Sequence, residues 1–163
     1  MKPLPDGAAA LDSALADATC VLFLCTGNMV RSAFADLYAR RLGCPLEVRS
    51  AATVYRNDHL LDETREALVA RGVPRALTES FRPRHVQDVL PELGPRTTVF
   101  AMARMHLRAL EGHPVLARRA FLLGSLWGTP QEILDPVLDG ADFGRTFERV
   151  ARCVETLVQR LSR

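Results

Sequence analysis

Four stretches of the chain have the hydrophobic pattern of β-strands. Residues 21–24 (Val-Leu-Phe-Leu) are wholly apolar, which is typical of a short strand that is buried on both faces of a parallel sheet. The pattern predicts three further strands at residues 46–53, 97–103 and 120–124.

Segments with apolar residues at helical spacing follow these strands. The pattern predicts a helix at 32–42 that Gly43 ends, and a helix at 62–69 that Asp62 caps and that Gly72 and Pro74 follow. It also predicts short helices at 84–90 and 105–110 and a long amphipathic helix from Asp142 to the C-terminus. Because strands alternate with helices, we predict an α/β fold: a three-layer sandwich with a four-stranded parallel sheet and helices on both faces.

The length of 163 residues fits a single domain, which we place at residues 20–163. Residues 1–19 are rich in alanine, and we expect them to form a flexible, mobile or weakly helical N-terminal extension. Asp6, Asp12 and Asp17 interrupt its apolar positions, so the segment does not resemble the apolar core of a signal peptide.

Composition and charge narrow the class of protein. A chain with 48% hydrophobic and 25% charged residues is ordinary for a soluble globular protein, and a net charge of +2 favours neither a nucleic-acid binder nor a membrane-surface protein. No apolar run approaches the roughly 20 residues that cross a bilayer. The four cysteines form no Cys-x-x-Cys pair, so we expect neither a disulfide framework nor a zinc site, and we expect a reducing, cytoplasmic location.

The histidines show no spacing that is typical of metal ligands. We interpret each of His59, His85, His106 and His113 as a surface or capping residue, and we expect no metal site. The stretch 124–128 (Gly-Ser-Leu-Trp-Gly) is not a nucleophile elbow, because its serine stands one place too early, and we interpret it as the end of a strand.

The stretch best suited to chemistry is the polar loop that follows the first strand, Cys-Thr-Gly-Asn-Met-Val-Arg-Ser at residues 25–32. Gly27 and Asn28 readily adopt positive φ, so the loop can turn its backbone N–H groups inward as an anion-binding nest at a helix N-terminus. The same donors would stabilise Cys25 as a thiolate nucleophile, and the planar fork of Arg31 can hold two phosphoryl oxygens. Ser32 can donate to the thiolate. The alternative is that Cys25 is an ordinary buried thiol.

Residues 25–32 resemble the Cys-x-Gly-Asn-x-Cys-Arg-Ser signature of the low-molecular-weight protein tyrosine phosphatases. The resemblance runs from Val21 to the C-terminus and implies hydrolysis of phosphotyrosine, an aryl phosphate monoester, in proteins through a cysteinyl-phosphate intermediate, with no cofactor. It implies that Cys25 and Arg31 are catalytic. The implied phosphate-binding residues are Thr26, Gly27, Asn28, Met29, Val30, Arg31 and Ser32. The implied partners are phosphotyrosine-containing proteins and a cognate tyrosine kinase.

Three further positions take their expected roles from this resemblance. Asp135, in the pair Asp135-Pro136 between the last strand and the final helix, matches the general acid of the family. Ser50 matches a serine that braces the asparagine of the signature, here Asn28. Tyr55 stands near the position where relatives place an aromatic residue on the wall of the crevice.

The chain departs from the family pattern at one signature position and in the crevice wall, and Met29 also bears on the substrate. Val30 replaces the second signature cysteine, so the loop cannot form an internal disulfide. Val137 and Leu138 stand where tyrosine-directed relatives usually have aromatic residues, so we expect an aliphatic crevice wall. Met29 occupies the position at which phosphoarginine phosphatases of this fold tend to have threonine, and its bulk favours a flat aryl ester.

Three alternative functions remain open. A protein arginine phosphatase of the same fold differs in substrate. A thiol-dependent arsenate reductase needs additional resolving cysteines, and the chain has none between Cys44 and Cys153. A non-catalytic phosphoprotein-binding module is disfavoured by the joint presence of a nucleophile, an arginine and an acid.

Overall fold

Four parallel strands form one sheet in the order β2-β1-β3-β4. Their bounds are Cys20–Cys25 for β1, Glu47–Ala52 for β2, Thr97–Ala101 for β3 and Ala120–Leu122 for β4. In the register of the sheet, Phe23 pairs with Ser50 on β2 and with Phe100 on β3. The computed structural model describes residues 7–128 and 130–163, and its sheet confirms the predicted α/β fold.

Seven α-helices flank the sheet within this part of the chain. They are α1 (Gly7–Ala16), α2 (Arg31–Arg41), α3 (Asp62–Ala70), α4 (Arg75–Ser80), α5 (Val86–Val89), α6 (Pro114–Ala117) and α7 (Phe143–Leu161). Three 3₁₀ helices lie at Leu90–Glu92, Arg104–Leu110 and Leu123–Trp127. The hydrophobic pattern did not predict α4 or α6, which are too short to show a clear period. The prediction of a strand end at 124–128 is wrong, because residues 124–127 belong to the last of these 3₁₀ helices and Gly128 follows it.

Alternate residues of β1 point to two separate hydrophobic cores. Val21, Phe23 and Cys25 face the larger core, which contains buried residues of α2 and α7, whereas Leu22 and Leu24 face a smaller core. Buried residues of α5 and of the segments around α6 complete the smaller core. Each β1 side chain is therefore buried on one face or the other, as the wholly apolar run requires.

Residues 7–16 differ from the expected mobile or weakly helical extension, because they form the packed helix α1. Leu11, Ala14 and Leu15 recur at helical spacing and are buried in the larger core. Thr98 Oγ1 on β3 donates to the carbonyl of Ala14 at 2.6 Å, which ties α1 to the sheet. Residues 1–6 of the same extension lie outside the described residues.

The strand order reverses between β1 and β3. The chain passes from β1 to its neighbour β2 on one side and then crosses back to β3 on the other side. In an open parallel sheet, the crevice at such a reversal lies at the carboxyl ends of the strands and is the usual place for a ligand. The loops after Cys25 and after Ala101 border this crevice. Within the described residues, no helix is long and apolar enough to span a membrane.

Candidate active site

One cavity at the carboxyl end of β1 collects nearly all of the residues that the sequence singled out. Its lining consists of Cys25, Thr26, Gly27, Met29, Val30, Arg31, Tyr55, Asp135, Val137 and Leu138. Ser32 and Asn28 lie directly behind it and are fully buried. The structure therefore brings the predicted nucleophile, cation and acid to one place, although they are up to 110 positions apart in the chain (135 minus 25).

Three hydrogen-bonding groups surround the sulfur of Cys25. Ser32 Oγ lies 2.9 Å from Cys25 Sγ, and the backbone N–H groups of Asn28 and Ser32 donate to the sulfur at 3.3 and 3.4 Å. The first turn of the eleven-residue helix α2, which begins at Arg31, adds the positive end of its dipole. These donors and this dipole can stabilise negative charge on the sulfur during a reaction.

Asn28 holds the shape of the loop through both ends of its side-chain amide. It adopts φ 54°, the positive value that the sequence analysis expected at this position. Its Nδ2 donates to Ser32 Oγ at 2.8 Å, and its Oδ1 accepts from the backbone N–H of Arg84 at 3.0 Å. Because Ser32 Oγ already accepts this bond, its own hydrogen is available to the sulfur.

The prediction that Ser50 braces Asn28 is wrong. Ser50 Oγ donates instead to Asp36 Oδ2 on α2 at 2.5 Å, while Arg84 takes the expected position beside Asn28. An isolated bridge between Ala52 and His85 places the backbone of Arg84 next to the loop. Burial raises the pKa of Asp36, and the ion pair with Arg40 and the hydrogen bond from Ser50 partly offset that effect.

The segment after β2 binds the backbone of the loop from outside. The N–H groups of Val54 and Tyr55 donate to the carbonyl of Thr26 at 3.1 and 3.2 Å, and Asn57 Nδ2 donates to the carbonyl of Gly27 at 3.0 Å. These bonds occupy the carbonyls of Thr26 and Gly27, so neither carbonyl is free to face a bound anion. They also fix Tyr55, half exposed, on the wall of the cavity.

Arg31 crosses the cavity floor and is only 3% exposed. Its Nη1 donates to the carbonyl of Ile133 at 2.8 Å, and its Nη2 donates to Thr26 Oγ1 at 3.3 Å and to Asp135 Oδ2 at 3.2 Å. The Nε of Arg31 is buried and has no hydrogen-bond partner in residues 7–128 and 130–163. An unpaired N–H on a buried cation costs free energy and is satisfied when an anion accepts from it.

Asp135 lies on the loop between the 3₁₀ helix Leu123–Trp127 and α7. The N–H of Ile133 donates to the carbonyl of Met102, directly after β3, at 2.8 Å, and this bond fixes the loop at one point. Asp135 Oδ1 accepts from the N–H of Val137 at 2.8 Å, and Asp139 Oδ2 accepts from the N–H of Asp135 at 3.0 Å. The carboxyl group is thereby held beside Arg31.

His106 is a residue near the site that the sequence analysis missed. We predicted a surface or capping residue, and His106 is a capping residue: its Nδ1 accepts from the backbone N–H of Ala103 at the start of the 3₁₀ helix Arg104–Leu110. It does not lie at the surface, because its side chain is fully buried, with Nε2 3.0 Å from Thr26 Oγ1. Burial, and to a smaller extent the charge of Arg31, lower its pKa to about 3. The signal that could have found it is its place directly after β3, whose carboxyl end lies beside that of β1.

The mouth of the cavity is apolar. Tyr55, Val137 and Leu138 are each about half exposed there, and Met29 lies deeper on the same wall. Apart from Cys25, Arg31 and Asp135, the residues that line the cavity have apolar or uncharged polar side chains. Among the described residues, no group of three or more metal-binding side chains comes together.

Two kinds of comparison relate the chain to known proteins. The family model for low molecular weight phosphotyrosine protein phosphatase matches residues 20–163. A low molecular weight protein tyrosine phosphatase from T. tengcongensis is 25% identical in sequence, with a TM-score of 0.70 over 87% of this chain and 99% of that chain. No curated protein sequence matches the chain significantly.

Two more distant solved structures share the fold. The arginine phosphatase YwlE from Geobacillus stearothermophilus is 22% identical, with a TM-score of 0.74 over 88% of this chain and 93% of that chain. The tyrosine phosphatase Wzb from Escherichia coli K30, solved in complex with sulphate, is 22% identical, with a TM-score of 0.73 over 88% and 99%. These two neighbours differ in substrate, so the fold alone does not select one.

Proposed function

Because the chain belongs to the low molecular weight phosphotyrosine protein phosphatase family, we propose that it hydrolyses phosphotyrosine in proteins through a cysteinyl-phosphate intermediate. The observation that carries the proposal is the guanidinium of Arg31, which is buried in the cavity beside Cys25 with its Nε unpaired among the described residues. A phosphoryl group is the dianion whose oxygens match that fork.

In the first step, the thiolate of Cys25 attacks phosphorus, so that an S–P bond forms and the P–O bond to the leaving group breaks. Arg31 and the N–H groups of the loop hold the equatorial oxygens and follow their charge into the transition state. Asp135 transfers its proton to the leaving oxygen. A phosphoryl oxygen that takes the place of Asp135 on Arg31 Nη2 frees the carboxyl group for this transfer.

In the second step, water attacks the cysteinyl phosphate and Asp135 accepts the proton of that water. The S–P bond breaks, and the sulfur leaves as a thiolate. Ser32 Oγ and the N–H groups of Asn28 and Ser32 stabilise the departing sulfur. The second step therefore depends on Ser32 more strongly than the first, because charge builds up on sulfur only as the S–P bond breaks.

The apolar mouth supports an aryl substrate. Met29, Tyr55, Val137 and Leu138 offer a hydrophobic wall to a phenyl ring. The guanidinium of a phosphoarginine substrate would need hydrogen-bond acceptors on the part of the wall where a phenyl ring would pack. Asp135 is the only acidic residue of the cavity lining. We therefore consider phosphoarginine, the substrate class of the arginine phosphatase YwlE, a less favoured substrate than phosphotyrosine.

The test is hydrolysis of p-nitrophenyl phosphate in the presence of EDTA by the reduced wild-type protein and by Cys25→Ser and Asp135→Ala. We expect vanadate-sensitive turnover in the wild type, no turnover in Cys25→Ser, and a rate that is lower by roughly 10²–10⁴-fold in Asp135→Ala. Cys44→Ser, at a half-buried thiol outside the cavity lining, is the matched control and should keep wild-type activity. No turnover by folded, reduced wild type would sink the proposal.

Substrate class is tested on peptides that differ only in the phosphorylated residue. We expect phosphotyrosine peptides to be hydrolysed with a higher kcat/KM than phosphoarginine peptides of the same sequence. The reverse order would assign the protein to the arginine-directed phosphatases while leaving the chemistry of Cys25, Arg31 and Asp135 intact.

A further inference from the structure

The hydrogen bonds around His106 fix which of its nitrogens carries a proton. The backbone N–H of Ala103 donates to His106 Nδ1 at 3.0 Å, so Nδ1 presents a lone pair. In a neutral imidazole the hydrogen is then on Nε2, which lies 3.0 Å from Thr26 Oγ1. His106 is therefore a hydrogen-bond donor to Thr26.

The surroundings of His106 keep it neutral. Its side chain is fully buried, and protonation would add a second cation next to the guanidinium of Arg31. Protonation would also place an N–H on Nδ1 opposite the N–H of Ala103, with no acceptor between them. As a general base on Nδ1 the imidazole would lose the hydrogen bond from Ala103, and as a general acid on Nε2 it would lose its donation to Thr26.

Thr26 connects His106 to the cation of the site. Its hydroxyl oxygen accepts from His106 Nε2 and from Arg31 Nη2 at 3.3 Å, which uses both of its lone pairs. The other two acceptors of the guanidinium among the described residues are the carbonyl of Ile133 and a carboxyl oxygen of Asp135. Asp135 moves a proton in the reaction and so cannot hold Arg31 throughout, whereas Thr26 and Ile133 stay unchanged in both steps.

We infer that His106 is a positioning residue that acts through Thr26 to set the orientation of the Arg31 guanidinium toward the phosphoryl group. The inference rests on the proposed function and adds a residue to it. His106 turns the lone pairs of Thr26 so that one faces Arg31 Nη2, and Thr26 with Ile133 then fixes the plane of the fork. A guanidinium in the wrong orientation would lose hydrogen bonds to the phosphoryl oxygens chiefly in the transition state, because the position of the charged oxygens matters most there.

Two substitutions at His106 separate its two hydrogen bonds. In His106→Gln, the terminal amide reaches about as far as Nε2 and can still donate to Thr26. In His106→Asn, the side-chain carbonyl stands near the position of Nδ1 and can still accept from Ala103, but nothing reaches Thr26. Each variant keeps one of the two hydrogen bonds, so a purely structural role of His106 predicts a similar decrease of kcat in both variants.

The experiment measures kcat, KM and thermal unfolding for both variants with p-nitrophenyl phosphate. We expect kcat to fall about five- to tenfold in His106→Asn, the worth of one hydrogen bond, with KM changed less than about twofold. We expect His106→Gln to keep kcat within about twofold of the wild type. His113→Asn, at an exposed histidine outside the cavity lining, is the control and should match the wild type.

Thr26→Val tests the same relay from its other end, because valine keeps the shape and removes both acceptor sites. We expect its kcat to equal that of His106→Asn, and the double variant to be no slower than either single variant. Equal losses of kcat in His106→Gln and His106→Asn, or additive losses in the double variant, would overturn the inference while the wild type remains active. An inactive wild type would overturn the proposed function itself.

A spectroscopic readout needs no variant. Nitrogen-15 NMR of the histidines should show His106 as a neutral ring with the proton on Nε2 between about pH 5 and 8, as the hydrogen bonds require. A ring protonated on Nδ1 in that range would contradict the relay directly.

Discussion

The loop at residues 25–32 takes part in two buried hydrogen-bond networks, one around the sulfur of Cys25 and one around the guanidinium of Arg31. The sulfur network is local, because Asn28 and Ser32 lie within seven positions of Cys25. The guanidinium network is assembled from distant segments, since its acceptors include Ile133 and Asp135, more than 100 positions away. The hydrogen-bond donors to Cys25 thus come from its own loop, whereas the orientation of the Arg31 guanidinium depends on distant segments of the fold.

The largest expected effect comes from breaking the guanidinium network at its centre. Arg31→Lys keeps the positive charge but removes Nε and the planar fork, so we expect kcat to fall by roughly 10²–10³-fold. The matched control is Arg49→Lys on β2, where Arg49 pairs with Glu92 outside the cavity lining. If the positive charge alone were sufficient, kcat of Arg31→Lys would stay within about tenfold of the wild-type value. That result would contradict the importance of the guanidinium network.

Ser32→Ala breaks the sulfur network with the next largest effect. It removes the hydroxyl that lies 2.9 Å from Cys25 Sγ and should slow dephosphorylation by roughly 10- to 100-fold, the worth of a hydrogen bond to a charged group. The measurement is rapid-mixing hydrolysis of p-nitrophenyl phosphate, in which a burst of nitrophenol should precede a slow steady state. Ser13→Ala, at an exposed serine of α1, is the control. A slowed burst with an unchanged steady state would show that Ser32 serves the first step instead.

Asn28 links the sulfur network to the fold, and its substitution should have a smaller effect. Asn28→Ala and Asn28→Gly both remove the bonds to Ser32 and Arg84, and we expect kcat to fall about five- to tenfold in each. The alanine variant alone must place a Cβ at φ 54°, so urea unfolding should show it less stable than the glycine variant by about 1 kcal/mol. Equal stability of the two variants would mean that the loop relaxes away from positive φ.

The guanidinium network also has a signature in the pH dependence of stability. The pKa of His106 is about 3 in the folded protein, below the 6.5 of an exposed histidine, so the unfolded chain binds a proton first as pH falls. The free energy of unfolding should therefore decrease from about pH 6.5 toward pH 3, by at most about 1.4 kcal/mol per pH unit from this residue. The measurement is the difference between the wild type and His106→Gln, which cancels the carboxylates common to both. A difference that is constant with pH would contradict the burial of a neutral His106.

The same contrast explains what the sequence predicted. The groups around Cys25 could be read from residues 25–32, because a strand, a glycine-asparagine turn and a helix start determine local geometry. Ser50 was assigned to Asn28 wrongly, because the packing of β2 on α2 decides that its hydroxyl meets Asp36. His106 lies 80 positions from Thr26, so only the strand order, which no spacing reveals, places the two together.

The smallest expected effect concerns the mouth of the cavity, which lies outside both networks. Val137→Phe would restore an aromatic wall for the substrate ring, and stacking worth about 0.5–1.5 kcal/mol should raise kcat/KM for an aryl phosphate about two- to tenfold. The gain should be absent for an alkyl phosphate such as glycerol phosphate, because it has no ring to stack. Val115→Phe on α6 is the matched control, since Val115 and Val137 are 49% and 50% exposed and only Val137 lines the cavity. An equal gain for both esters would show that the wall acts on the Asp135 loop and not on the ring.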